Sequence, residues 1–238
     1  MADIAERSDA GQAVYTRRAL RVYDFLVLGI SNRFFWKCPT RILVDLYTNH
    51  VTSNHLDVGV GTGYFLDRCR FPTAAPDIVL MDPNPNTLEF TYERIERYRP
   101  GTHLGSVFEP IPGDVGMFDS VGINYVLHCL PGTIESKAVA FDCLKEVMNH
   151  NAVIFGATLL QSGPAHNWMA QRLMALYNKK GIFSNRSDSL EGLNQVLVQR
   201  FMDVSIQVVG CAAIFTARAS KRDEQFKIGR TRSGTASD

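Results

Sequence analysis

Most features that would assign this chain at once are missing from it. Its five cysteines (Cys38, Cys69, Cys129, Cys143, Cys211) are scattered, odd in number and without C-x-x-C spacing. That argues against a zinc centre or a disulfide framework and fits a reducing cytosol. No apolar run reaches the roughly 18 residues of a membrane helix, and the N-terminal Met-Ala-Asp-Ile-Ala-Glu-Arg has no apolar signal core. Neither charge is in excess: 25 Lys and Arg stand against 24 Asp and Glu, a formal net charge of +1. With no basic stripe either, electrostatics gives no reason to expect nucleic acid or an anionic membrane as partner. The expectation is a soluble, cytoplasmic protein with neither a nucleic-acid nor a membrane partner.

What is present suits a folded core. Hydrophobic residues make up 45% of 238 positions and charged residues 21%, enough for one large domain with at most a small appendage. Residues 10 to 50 read as amphipathic helix, with Val14, Leu20, Val22, Phe25 and Leu26, then Ile42, Leu43 and Leu46. Asn32 and the Cys38-Pro39 step break that stretch into two or three helices. From residue 55, strands are predicted at His55–Gly59, Ile78–Asp82, His103–Val107, Phe118–Val126, Ala152–Leu160, Val204–Val209 and Ala212–Ala217. Helices are predicted at about 63–70, 85–98, 136–149, 165–179 and 189–201. Continuous apolar strands alternating with helices imply an α/β fold, its sheet mostly parallel and covered on both faces. Only Gly210-Cys211 joins the last two strands, too little for a parallel crossover, so they are expected to pair as an antiparallel hairpin. The predicted organisation is a helical segment at 1–50, an α/β domain at 51–219 with an insertion at 162–188, and a charged, Gly/Ser/Thr-rich tail at 220–238 expected to be disordered.

The most informative run is His55-Leu56-Asp57-Val58-Gly59-Val60-Gly61-Thr62-Gly63. Alternating glycines at the end of an apolar strand let the chain turn sharply and let a nucleotide-like ligand approach the backbone. A dinucleotide site wants G-x-G-x-x-G, whereas here Tyr64 stands where that pattern needs its third glycine. Asp82 follows Gly63 by 19 residues, at the end of the second strand in Val79-Leu80-Met81-Asp82. A carboxylate there can accept both ribose hydroxyls, though Asp-Pro-Asn-Pro is also a turn that starts a helix.

D-x-G-x-G-x-G, the acid after the second strand and Phe118-Asp119-Ser120-Val121 leading to Leu127-His128-Cys129-Leu130 together resemble the class I S-adenosylmethionine-dependent methyltransferases. The last of these is similar to the ubiquinone-biosynthesis-like branch acting on small molecules. The resemblance covers about residues 55 to 217. It implies a Rossmann-like seven-stranded sheet ending in an antiparallel hairpin, with an N-terminal helical lid. It also implies S-adenosyl-L-methionine as cofactor and a small-molecule acceptor, such as a natural product, methylated at O, N or C. The cofactor-binding residues it implies are Tyr23, Asp57, Gly59, Gly61, Gly63, Asp82, Pro83, Ser106, Val107, Asn124 and Tyr125. Asp57 would lie near the amino-acid end of the cofactor or tie down the glycine loop. Ser106 departs from the Gly-Asp-Ala pattern of many members, substituting a neutral hydroxyl on the adenine side. The Asn/Asp-Pro-Pro-Tyr box of enzymes that methylate adenine, cytosine or glutamine nitrogen is absent; the chain reads Asn124-Tyr125-Val126-Leu127.

Methyl transfer from a sulfonium needs alignment more than acid–base help. His128, just past the fourth strand, is the candidate base, or a histidine packed under the lid. Tyr15, Trp36, His128 and Trp168 are the acceptor-side candidates, and the tips of Tyr15 and Tyr23 suit the cofactor carboxylate. Cys129 beside His128 is discounted as a nucleophile pair, since neighbours on a strand face opposite ways. Three other readings compete: a non-catalytic module with this fold, a nicotinamide oxidoreductase disfavoured by glycine spacing, and a nucleic-acid methyltransferase disfavoured by charge. The sequence leaves the oligomeric state open, a homodimer included.

Overall fold

Leu43, Leu46 and Tyr47 recur at helical spacing and are the residues that the first described helix, α1 (Thr40–His50), buries. The structure is a computed structural model describing residues 31–220; the lid candidates Tyr15 and Tyr23 and the tail from residue 221 lie outside those residues. After α1 come β1 (Asn54–Val58), α2 (Tyr64–Arg68), β2 (Asp77–Asp82), α3 (Pro85–Arg94), β3 (Gly101–Leu104) and β4 (Phe118–Asn124). The chain continues through α4 (Ile134–Lys137), α5 (Val139–Glu146), β5 (Met148–Leu159), α6 (Trp168–Lys179), α7 (Leu190–Val198), β6 (Met202–Val209) and β7 (Ala212–Arg218). Local chemistry starts several of these helices. Asn84 accepts from the Asn86 amide with Pro85 in the first turn of α3, and Asn167 and Ser189 cap α6 and α7 in the same way.

The seven strands lie in the order β3-β2-β1-β4-β5-β7-β6. All neighbours are parallel except β5–β7 and β6–β7, so the hairpin expected from its two-residue connection is present. Two apolar clusters cover the two faces. One gathers Leu43 and Tyr47 of α1, Leu66 of α2 and Leu88 of α3; the other gathers Ile134, Phe141 and Leu144 with Leu193 and Leu197 of α7. Between β1 and β4 the chain changes direction across the sheet, and the carboxyl ends of those two strands form the crevice that such sheets offer to ligands.

Several boundaries differ from those read in the sequence. β3 stops at Leu104, leaving Gly105, Ser106 and Val107 in the loop beyond it. The helix expected over 136–149 is two short helices followed by a strand that begins at Met148. His128 and Cys129 lie in a 3-10 turn (Leu127–Cys129), so the strand argument for their opposed directions does not apply. α1 packs into the core cluster on the sheet, rather than standing over the crevice as part of a lid. None of the described helices is long and apolar enough to cross a membrane.

One buried ion pair ties the connection between β5 and α7 to the body of the protein. Lys137 and Asp188 have fully buried side chains, with Lys137 Nζ 2.5 Å from Asp188 Oδ2. The same ammonium donates to the Ser184 carbonyl at 2.7 Å. Burial pulls the lysine down and pushes the carboxyl up, and each charge opposes the other's shift. Removing one partner strands a charge in the core. Lys137→Met is therefore expected to lower the stability measured by urea denaturation by about 3–5 kcal/mol. The Lys137→Met/Asp188→Leu pair should recover most of that loss, because neither charge is then left buried and alone.

Candidate active site

A cavity enclosing about 890 Å³, part of it open to solvent, occupies the crevice at the carboxyl ends of β1, β2 and β4. Gly59 and Gly61 form one side of it, Asp82 to Asn84 the next, and Gly105 to Phe108 a third. Tyr125, Val126, Cys129 and Leu130 close it with Ile182. The glycine turn is shaped by its lack of side chains. Gly59 has φ +67°, and a Cβ there would stand 2.3 Å from Val126 Cγ2. Gly61 has φ +56° with no atom of the described residues within 4 Å of its Cβ position, so its bare backbone is left uncovered by them. Gly63, the left-handed residue before α2, packs on Thr91 instead of lining the cavity.

Asp82 is 8% exposed and projects from the end of β2. Its Oδ1 accepts from the Asn84 amide at 2.8 Å. Burial raises its pKa to about 7; the backbone amides of Asn84 and Val60 hold it back, and the charge of Asp57 adds to the rise. Two further groups await partners. The Thr87 hydroxyl, on a cavity-lining residue of α3, and both amide atoms of Asn124, which ends β4 without itself lining the cavity, are buried with no hydrogen-bond partner among the described residues. A buried polar atom without a partner is costly and rare, so such atoms near one crevice point to a ligand that supplies the missing bonds. Tyr125 stands next in the chain with φ +60°, a conformation disfavoured for a non-glycine residue. It is held there by its amide bond to the Ala157 carbonyl (2.7 Å) and by its hydroxyl, 3.2 Å from Asn32 Oδ1.

Of the residues singled out in the sequence, Gly59, Gly61, Asp82, Pro83, Ser106, Val107 and Tyr125 meet around this cavity. Asp57 does not line it. Its Oδ1 accepts from the Tyr47 hydroxyl at 2.8 Å and lies 3.6 Å from His55 Nε2, within a buried network that continues from His55 Nδ1 to Ser120 Oγ at 2.8 Å. Trp36 is 2% exposed and packs on Phe183 at 6.0 Å between ring centres, a core residue rather than an open acceptor wall. Trp168 is the reverse, 65% exposed on the outer side of α6 with Arg172 over its ring, and it lines neither this cavity nor the one beside it.

His128 is buried beneath the cavity. Its ring packs edge-on to Phe183 at 4.5 Å and to Tyr125 at 5.6 Å. Its Nδ1 accepts from the Leu159 amide at 3.3 Å and lies 3.3 Å from Thr158 Oγ1. Burial, with the Lys137 charge behind it, lowers its pKa to about 3, so the imidazole is neutral at physiological pH and carries its proton on Nε2. Thr87, Phe108 and Ile182 line the cavity without having been singled out in the sequence. Thr87 was open to recognition as the residue two positions into the helix after Asp82; Ile182 and Phe108 come from loops with no local signal.

No protein-family model matches the chain. It is 38% identical over 207 residues to demethylluteothin O-methyltransferase of Streptomyces thioluteus, spanning 87% of this chain and 90% of that protein. It is 34% identical over 216 residues to the physcion biosynthesis cluster O-methyltransferase of Aspergillus chevalieri, spanning 90% and 97%. Among solved structures, an O-methyltransferase family protein from Burkholderia thailandensis superposes with a TM-score of 0.60 at 12% identity, covering 90% of this chain and 63% of that one. The N-methyltransferase NodS from Bradyrhizobium japonicum, in complex with S-adenosyl-L-homocysteine, superposes with a TM-score of 0.53 at 14% identity, covering 76% and 84%. At these identities the two structures speak to the fold alone.

The raised pKa of Asp82 makes a prediction that needs no ligand. An acid whose folded pKa lies above its unfolded value of 3.8 favours the fold fully below that value, and the benefit is lost as pH rises through about 7. Asp82→Asn, which keeps an oxygen for the Asn84 amide, is expected to be more stable than the parent at pH 8 by roughly 2–4 kcal/mol. Thermal unfolding should show that gap closing by pH 4.

Proposed function

Because the chain belongs to the class I S-adenosylmethionine-dependent methyltransferases, we propose that it moves the methyl group of S-adenosyl-L-methionine to a hydroxyl oxygen of a small natural product. Transfer of the methyl group to a small molecule comes with the likeness to these O-methyltransferases; the oxygen and the natural-product character are the further reading. The observation that carries it is the similarity to demethylluteothin O-methyltransferase along 207 residues. The likeness to the Aspergillus chevalieri enzyme, also an O-methyltransferase, supports it.

The residues around the cavity fit the cofactor. The open face of Gly61, the orphaned Thr87 hydroxyl and the orphaned Asn124 amide each suit a ligand that brings polar atoms against the backbone. On this reading Asp82 accepts the ribose hydroxyls, with Pro83 fixing the turn beside it, and the Gly59–Gly63 backbone cradles the amino-acid end. Ser106 and Val107 border the base, while Tyr125 lines the methyl-donor end, with the buried Asn124 preceding it at the end of β4. Asp57 acts one step back, fastening α1 through Tyr47 beneath the glycine turn. The cofactor supplies a methyl group on a positively charged sulfur, already activated toward attack. The protein's tasks are alignment and exclusion of water. Leu130, Ile182 and Cys129 provide the apolar wall for both. His128, neutral with its Nδ1 lone pair engaged, is read as a positioning residue that sets Phe183 and Tyr125 rather than as a base. Five free cysteines support a cytoplasmic setting.

Ionised Asp82 is the form that accepts two hydroxyls, so affinity for S-adenosylhomocysteine should rise with pH and level off above about 7. Calorimetry is expected to give binding about tenfold weaker at pH 6 than at pH 8. Asp82→Ala should bind roughly 10- to 100-fold more weakly and lose the pH dependence, from a charge-assisted contact worth about 1.5–3 kcal/mol. Unchanged affinity in a folded Asp82→Ala protein would remove this residue from the site. The choice of atom is tested with a methyl-labelled donor and paired acceptors that present a hydroxyl or an amine on one scaffold. Label on oxygen is the expected product, and label confined to nitrogen or carbon would overturn the assignment.

A further inference from the structure

Between Glu146 and Asp188 the sequence contains no acid at all, while carrying Arg172, Lys179, Lys180 and Arg186. In a chain whose 25 Lys and Arg nearly balance 24 Asp and Glu, the connection from β5 to α7 is thus a one-sign segment. Its single acid, Asp188, is fully buried and engaged by Lys137.

The structure gathers part of that charge around a second cavity. Ile182 lines the cavity at the strand ends, whereas Gly181 and Phe183 on either side of it line the second one, and Cys129 borders both. Three residues of backbone therefore form a partition with the methyl-donor cavity on one side and this space on the other. The second cavity has an apolar floor, with Phe183 only 8% exposed and Pro131 beside it. Lys179 and Arg186 stand on its rim, both exposed and, among the described residues, without an ion-pair partner. The C-terminal end of a helix favours a cation and so accounts for Lys179 at the end of α6. It does not account for Arg186, which lies outside any helix.

The backbone that carries Arg186 is also held in place. Asn185 before it is fully buried and donates to the Leu159 carbonyl at 2.8 Å. Asp188, two residues on, is anchored by Lys137, and Ser184 is fixed by its amide bond to the His128 carbonyl and by Lys137 on its own carbonyl. The Asn178 amide joins Asn185 Oδ1 at 2.8 Å, closing the turn that carries Lys179. Two cations on a fixed frame, above an apolar floor and one partition from the methyl donor, form a preorganised receptor for an anion attached to an apolar body.

We propose that this second cavity is an acceptor subsite that holds an anionic group, a carboxylate or phosphate, carried by the molecule to be methylated. The acceptor's apolar body would lie along Phe183 and Pro131 and reach past Cys129 to the methyl-donor cavity. The assignment rests on the small-molecule reading given above.

The test uses the full chain saturated with S-adenosylhomocysteine and ligand-observed NMR. The probes are 3-hydroxy-2-naphthoate, its methyl ester and inorganic phosphate. The naphthoate should bind about tenfold more tightly than its ester, a preference expected for two cations on one carboxylate and reduced at high salt. Lys179→Ala/Arg186→Ala should erase the preference while leaving affinity for S-adenosylhomocysteine intact, and Lys179→Ala/Arg186→Lys should retain part of it. Equal binding of acid and ester overturns the proposal, as does a preference that survives in the double variant. Phosphate bound without competing against the naphthoate would make this an independent anion site and overturn the acceptor assignment. Failure of the parent protein to bind S-adenosylhomocysteine would instead sink the methyl-transfer reading and this proposal with it.

Discussion

Everything at the top of the sheet depends on the chain leaving β1 through three residues of positive φ. Gly59, Gly61 and Gly63 all adopt it, which is how a strand in the centre of the sheet reverses into α2 within a few residues. The same turn meets two different demands. At Gly59 the missing Cβ lets Val126 of the neighbouring connection press against the backbone, fixing β4's exit relative to β1. At Gly61 the missing Cβ leaves open space. One glycine serves packing and the other serves access. The strained Tyr125 follows from the same geometry, because the connection after β4 must clear the glycine turn while its amide stays bonded to β5.

Three buried aspartates show how little the residue type alone decides. Asp57 is tied to a tyrosine hydroxyl and takes part in a network with His55 and Ser120, deep between sheet and α1. Asp188 is matched by a lysine. Asp82 has, among the described residues, neither a hydroxyl nor a cation as partner, only backbone amides, and it faces the cavity. A carboxylate left so poorly compensated marks where the fold expects polar atoms from outside, in line with perturbed acids gathering at functional sites.

The strands and the closing hairpin were legible because their signals are local: apolar runs bounded by turn residues, and a connection too short for anything else. The strand-end side of the cavity was legible for a related reason, since Gly59, Gly61, Asp82, Ser106 and Tyr125 each sit at or just past a strand end and the topology brings those ends together. What failed to show were features made by distant pairs. Lys137 finds Asp188 across 51 positions, and nothing around either residue announces the other. Trp36 and Trp168 were chosen by type, and burial separated them: one ring was drawn into the core and the other left on an outer face. His128 was chosen by titration range, yet burial among the surrounding aromatic rings, with the Lys137 charge behind it, puts that range out of reach. Asp57 was placed by motif, whereas the direction of its side chain is set by which face of β1 it occupies.

The partition at Gly181–Phe183 belongs to a single connection, from the end of β5 to the start of α7, whose far end is riveted by Lys137 and Asp188. The cradle of the glycine turn, Asp82 and the loop after β3 belongs wholly to the first half of the domain. On the proposed reading, donor and acceptor are therefore handled by separate stretches of chain that meet at one wall. A change of length or charge in that connection would reshape one wall of the cavity and leave the glycine turn, Asp82 and the loop after β3 in place.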